Sequence, residues 1–183
     1  MKNLQKNKLT KTVLCGIIAG LETVILALSS VFTTIDLTLA AITVFFTLFL
    51  LWEYGKGSAL GVYIAVSVLS LVLLGNKFTA VCYLFMFGPY PILKAVFERA
   101  KGGFLPWLIK IAYLALSFTA VYGISAALLF LEETAPVFSP YFFATGAVAV
   151  LAFVLFDIAM TMLERLYFVK LRKKLGINRL IKK

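Results

Sequence analysis

Of the 8 acidic side chains in this chain of 183 residues, Glu22 stands in the least hospitable place, inside the run KTVLCGIIAGLETVILALSS. At 1.5 Å per residue it lies about 16 Å past Lys11, near the middle of a hydrocarbon layer about 30 Å thick. An ionised carboxylate there is costly, so Glu22 is expected to be protonated, hydrogen-bonded inside the protein, or facing a wet cavity. No Lys or Arg stands at matching depth, which leaves neutral partners: Tyr122, Ser67 and Thr23. A structural hydrogen bond, a ligand contact and a proton relay all stay open for it. Asp157 is a second intramembrane carboxylate, about 12 Å inside the edge marked by Arg165. Lys94 and Lys110 reach similar depth on neighbouring segments, so an ion pair that locks the bundle is the expectation.

Three further groups invite chemistry. The stretch FMFGPYPILK sets Gly88, Pro89 and Pro91 within four residues. Each proline removes a backbone donor and disfavours helical backbone in the residue before it, so a helix must break or kink here. Irregular backbone at membrane depth has to be covered by protein or line a water-filled cavity. Tyr90 then either projects into an internal space or anchors the helix at the interface. On the far side of the membrane from the lysines, Thr33, Thr34 and Asp36 face Asn76, Lys77 and the segment from Glu132 to Tyr141. Together with the deeper Glu22, Tyr83 and Tyr122 these are the candidate ligand contacts of a small-molecule pocket, although aromatic residues at such a boundary also serve as belt anchors. Finally, Gly16 and Gly20 are four apart, beside a second row of Cys15, Ala19, Thr23 and Ala27. Such rows let another helix approach to backbone contact, either within the bundle or from another subunit.

Several reactions have no residues to carry them. The chain has 0 His, the commonest metal ligand and general base. It holds no GxxxxGK[ST] phosphate loop, HExxH, GxSxG or Cys/His cluster, so neither nucleotide hydrolysis nor metal chemistry is expected, and no catalytic residue or cofactor is assigned. Cys15 and Cys82 lie inside apolar segments without metal spacing and read as small buried residues.

The elements that must position these groups follow from composition. With 62% hydrophobic residues and a mean hydropathy of +1.01, the chain carries more apolar surface than a core of its size hides, and lipid must cover the surplus. Punctuation divides it into six spans near residues 12–31, 35–52, 58–74, 78–96, 106–131 and 141–163: an all-α polytopic membrane protein, one transmembrane domain. Joining spans across Glu53 to Gly57 would put Glu53 and Lys56 in lipid and is disfavoured. Of the 18 Lys and Arg, Lys77 alone falls on one side of that layout. The rich side is expected to be cytoplasmic, with both termini there. The net charge of +10 is therefore the mark of helix flanks rather than of a nucleic-acid surface. The basic tail 164–183 is expected to extend the last helix or lie along anionic headgroups.

In its length, its six short spans, a first helix beginning KLTKTVLCGIIAG and the glycine-punctuated YGKGSALGVYIAVS entering the third, the chain resembles the substrate-binding S-components of energy-coupling factor transporters. The stretch GPYPILK is similar to one in uncharacterised small membrane proteins of low-GC Gram-positive bacteria. The resemblance implies a subunit of the bacterial plasma membrane with a vitamin or trace-nutrient pocket near the outer face, walled by the first loop and the later helices. It also implies that the small-residue face of the first helix, here Gly16, Ala19, Gly20 and Thr23, docks a separate transmembrane coupling protein driven by two ATPases. Glycines and a cysteine are mixed into the alanine pattern usual at that face. No motif specific to riboflavin, thiamine, biotin, folate or metal-ion members is present, which leaves the substrate open. The alternative from a different class is a membrane scaffold or assembly factor without a ligand.

Overall fold

The computed structural model describes residues 2–98, 105–128, 140–167 and 169. Every regular element among them is helical. In chain order these are α1 (Lys2–Leu28), a single 3-10 turn (Thr33–Ile35), α2 (Asp36–Tyr54), α3 (Lys56–Leu73), α4 (Lys77–Cys82), a π-helical turn (Tyr83–Phe87), α5 (Tyr90–Phe97), α6 (Leu105–Leu128) and α7 (Pro140–Leu166). Six stretches are long and apolar enough to cross a membrane: Leu9–Leu28, Asp36–Tyr54, Lys56–Leu73, Lys77–Phe97, Leu105–Ser125 and Gly146–Leu166. The chain is a multi-pass membrane protein. Its contacts divide it into two compact units, residues 7–134 and residues 1–6 with 135–183.

The packing is inverted relative to a water-soluble protein. On α1, Leu9, Val13, Ile17, Leu21, Val24 and Leu28 recur every three or four residues and are all exposed. That spacing places them on one face, which meets lipid. The opposite face buries Ile18, Ala19, Glu22, Thr23 and Leu26. In α7, Val148, Leu151, Leu155, Ile158 and Met162 form the corresponding exposed stripe.

Without water, a hydroxyl must find an acceptor, and most turn back to their own helix. Thr23 donates to the Ala19 carbonyl at 2.8 Å, Thr43 to Ala40 at 2.7 Å, Ser70 to Ser67 at 2.9 Å and Thr161 to Asp157 at 2.8 Å.

Helix ends differ from the sequence expectation in two instructive places. Helix α1 begins at Lys2 rather than near residue 12, because hydropathy marks where lipid begins and not where helical backbone does. Between α2 and α3 the break is sharper than expected: Gly55 alone joins Tyr54 to Lys56. Its φ of 81° and ψ of 177° belong to a region open to glycine and costly for any side chain. The Gly55 carbonyl accepts from the Ser58 amide at 3.2 Å and so starts α3. The expected break at Gly88 is also present, dividing the fourth span into α4, the π-helical turn and α5.

Candidate functional site: a buried carboxylate tied to a broken helix

The π-helical turn exists because the backbone donors around it are displaced or missing. The Gly88 amide bonds the Tyr83 carbonyl at 2.7 Å, one residue farther back than in an α-helix. That leaves the Leu84 carbonyl without its usual donor, and Pro89 has no N–H to offer Phe85. Two phenols from other helices supply both. Tyr63 of α3 donates to the Leu84 carbonyl at 2.9 Å, and Tyr113 of α6 donates to the Phe85 carbonyl at 2.7 Å and more weakly to Met86 at 3.3 Å.

Glycine is required at 88 for two reasons. A Cβ there would come within 2.5 Å of the Tyr63 ring and 2.9 Å of the Tyr83 carbonyl. Gly88 also keeps helical backbone, φ −61° and ψ −50°, directly before a proline, where a Cβ would clash. Tyr90, fully buried, stacks on Tyr113 with ring centroids 5.9 Å apart. It therefore projects inward rather than anchoring the helix at the interface.

Glu22 meets this turn at Tyr83. Its Oε2 accepts from the Tyr83 phenol at 2.9 Å, and its Oε1 accepts from the Thr47 hydroxyl at 2.8 Å. Glu22 and Tyr83 are both fully buried and Thr47 is 1% exposed. The sequence expectation of Tyr122, Ser67 or Thr23 as partners of Glu22 is thus corrected to Thr47 and Tyr83. The reason is azimuthal. Thr23 points back along its own helix, whereas Thr47 and the Tyr83 ring lie where α2 and the π-helical turn face α1. Thr47 breaks the pattern of its neighbours by reaching across to another helix.

At one end of the same unit a second polar group gathers. The Asp36 Oδ2 accepts from the Asn76 amide and from the Thr79 hydroxyl, both at 3.1 Å. Ser30 Oγ accepts the Gly75 and Asn76 amides at 3.2 Å each. Asn76 in turn caps α4 through Thr79. The structure therefore brings Asp36 and Asn76 together as a latch joining four helix ends, and Thr34 beside them is exposed. The side chains of Thr33 and Tyr141, and Glu132 and Glu133 altogether, lie outside the described residues, and Tyr122 is half-buried on α6.

The opposite end carries the lysines. Lys94 and Lys110, both nearly fully buried, approach the same Glu98 oxygen at 3.5 and 3.1 Å, and Lys110 lies 5.5 Å from the Trp107 ring centre. Within their unit the two lysines are paired with Glu98; Asp157, the partner expected from the sequence, belongs to the other unit.

Toward that same end a groove of about 410 Å³ runs between α1 and α3, lined by Lys11, Gly16 and Ala19 from one and Gly57, Gly61 and Ala65 from the other. Small residues on both walls keep the helices from filling it. A Cβ added at Gly16, Gly57 or Gly61 would meet nothing within 4 Å. Ser30, just past the end of α1, bonds the Gly75 and Asn76 amides just past the end of α3, so α1 and α3 run in the same direction, with Lys11 and Lys56 toward the other end. Of the expected docking residues, Gly16 and Ala19 line the groove, Gly20 is exposed outside it, and Thr23 is buried beside Glu22. No family model, curated protein or solved structure matches the chain. Among the described residues no group of acidic, Cys or His side chains is arranged to hold a metal ion, and Cys15 and Cys82 are free thiols.

Thr47, Tyr63, Tyr113, Ser30 and Thr79 make hydrogen bonds at the broken helix and at the latch that the sequence did not single out. For Tyr113 a signal existed: a proline at 89 orphans the carbonyl four residues earlier, so a hydroxyl donor had to come from a neighbour.

Proposed function

We propose that the chain is a capture subunit for a small nutrient in a bacterial plasma membrane, with both termini in the cytoplasm, energised by a separate coupling protein and its ATPases. The supporting observation is the α1–α3 groove. Both walls expose backbone through small residues, and a partner helix seated there gains close van der Waals contact that lipid tails do not match. The lysine-rich flank at that end is the side expected to face the cytoplasm, where the ATPases would work. Co-expression with energising subunits, followed by purification through one of them, tests the reading. Gly61→Leu, which fills the groove, is expected to lower recovery of the complex at least tenfold, while Val68→Leu on the lipid-facing side leaves it unchanged. Equal recovery of all three proteins rejects the docking role.

A scaffold without ligand is supported by one observation: Ser30, Asp36, Asn76 and Thr79 spend their hydrogen bonds on each other at the end where an outer pocket is expected. Thermal unfolding in the presence of vitamins, amino acids and nucleobases separates the two. A ligand at 100 times its dissociation constant raises stability by about 2.7 kcal/mol, and a scaffold shows no shift with any of them.

A further inference from the structure

We propose that Glu22 is a reversible proton-binding site, and that its charge state sets how firmly the π-helical turn is tied to α1. The chemistry of its two partners supports this. Arginine or lysine would hold a carboxylate permanently ionised, because neither can accept a hydrogen bond. Glu22 instead faces two hydroxyls, Thr47 at 2.8 Å and Tyr83 at 2.9 Å, and a hydroxyl both donates and accepts. When a proton from solvent adds to Oε1, a new O–H bond forms there and the acid donates to Thr47 Oγ1. The Thr47 hydrogen then turns to a carbonyl of its own helix three or four residues back. Thr43 and Thr23 make that bond on their own helices already. Loss of the proton reverses each step.

The charge change reaches the π-helical turn through Tyr83. Its phenol donates to Glu22 Oε2 while its carbonyl accepts the Gly88 amide that defines the π-helical turn. With Glu22 ionised the phenol bond is charge-assisted. With Glu22 neutral the same oxygen is an ordinary carbonyl and the bond is about half as strong.

Among the described residues of 7–134 no other titratable group competes closely. From α2 Glu22 faces Thr47, with Glu53 about 9 Å farther along that helix. From the π-helical turn it faces Tyr83, and behind it Tyr63 of α3, with ring centroids 6.4 Å apart. Tyr113 of α6 is engaged with Phe85. The thiols are Cys82, buried next to Tyr83, and Cys15, two turns earlier on α1. Lys94, Lys110 and Glu98 form their own cluster, and Asp36 is held at the latch.

The full chain in lipid vesicles supplies the test, using infrared difference spectra between alkaline and acid buffer and hydrogen exchange of the peptide containing Gly88. The expected result is a carboxylic-acid carbonyl band that is lost in Glu22→Gln and shifted in Thr47→Val. Protection at Gly88, corrected for intrinsic pH dependence, should fall about five- to tenfold as the acid forms. In Tyr83→Phe it should stay at the lower value throughout. If Glu22→Gln does not fold, the band shift in Thr47→Val decides the site. A band untouched by both substitutions overturns the proton site, and protection that follows pH alike in wild type and Tyr83→Phe overturns the link to the turn.

Discussion

The π-helical turn and the α1–α3 groove lie in one compact unit and solve opposite problems. At the turn, irregular backbone is buried and the displaced carbonyls of Leu84 and Phe85 are met by phenols from α3 and α6. In the groove, regular backbone is left bare by Gly16, Gly57 and Gly61, and none of the described residues of this unit fills the space. Glycine appears in both with contrary meaning. Gly88 is small because Tyr63 already occupies the space, whereas Gly61 is small and the space beside it is empty. Identical residue types thus mark a closed structural joint in one place and an open surface in the other.

Substitutions at the two glycines probe this contrast most strongly. Gly88→Ala drives a methyl group into the Tyr63 ring and is expected to destabilise by at least about 3 kcal/mol, since overpacking and a lost buried hydrogen bond combine. Equilibrium unfolding in detergent micelles measures it, and a loss below 1 kcal/mol would mean that Tyr63 moves aside freely. Tyr113→Phe should cost about 1–3 kcal/mol by leaving the Phe85 carbonyl without a donor, and hydrogen exchange of α5 should rise with it. Asp36→Ala removes the acceptor for Asn76 and Thr79 at the partly exposed latch, with an expected loss of about 1 kcal/mol. The smallest effect belongs to Gly61→Ala, which adds a methyl group in open space and gains up to about 1 kcal/mol of helix propensity. A clear destabilisation there would show that the groove is narrower than its walls suggest.

Much of the fold was legible in the sequence because lipid imposes a simple rule on it. Uninterrupted apolar length gave the six spans, and Gly88-Pro89 gave the break. Glu22 was legible as a buried centre for the same reason, since a lone carboxylate at that depth requires partners. Its partners were not legible. Thr47 looks like any of the threonines that bond their own helix, and only the rotation of α2 about its axis turns it toward Glu22. The π-helical turn was hidden too, because the shift of the Gly88 amide to Tyr83 depends on two tyrosines 20 or more positions away in sequence. Depth arguments also passed over Glu98, only four residues from Lys94, although Lys94 and Lys110 both reach its carboxylate.

The single-residue link at Gly55 has a consequence for how the protein is made. One residue spans no more than about 3.5 Å, so α2 and α3 have no slack with which to occupy separate positions during biosynthesis. Once α2 has partitioned from the translocation machinery into lipid, α3 must follow as the returning arm of the same hairpin, which makes the pair a single unit of insertion.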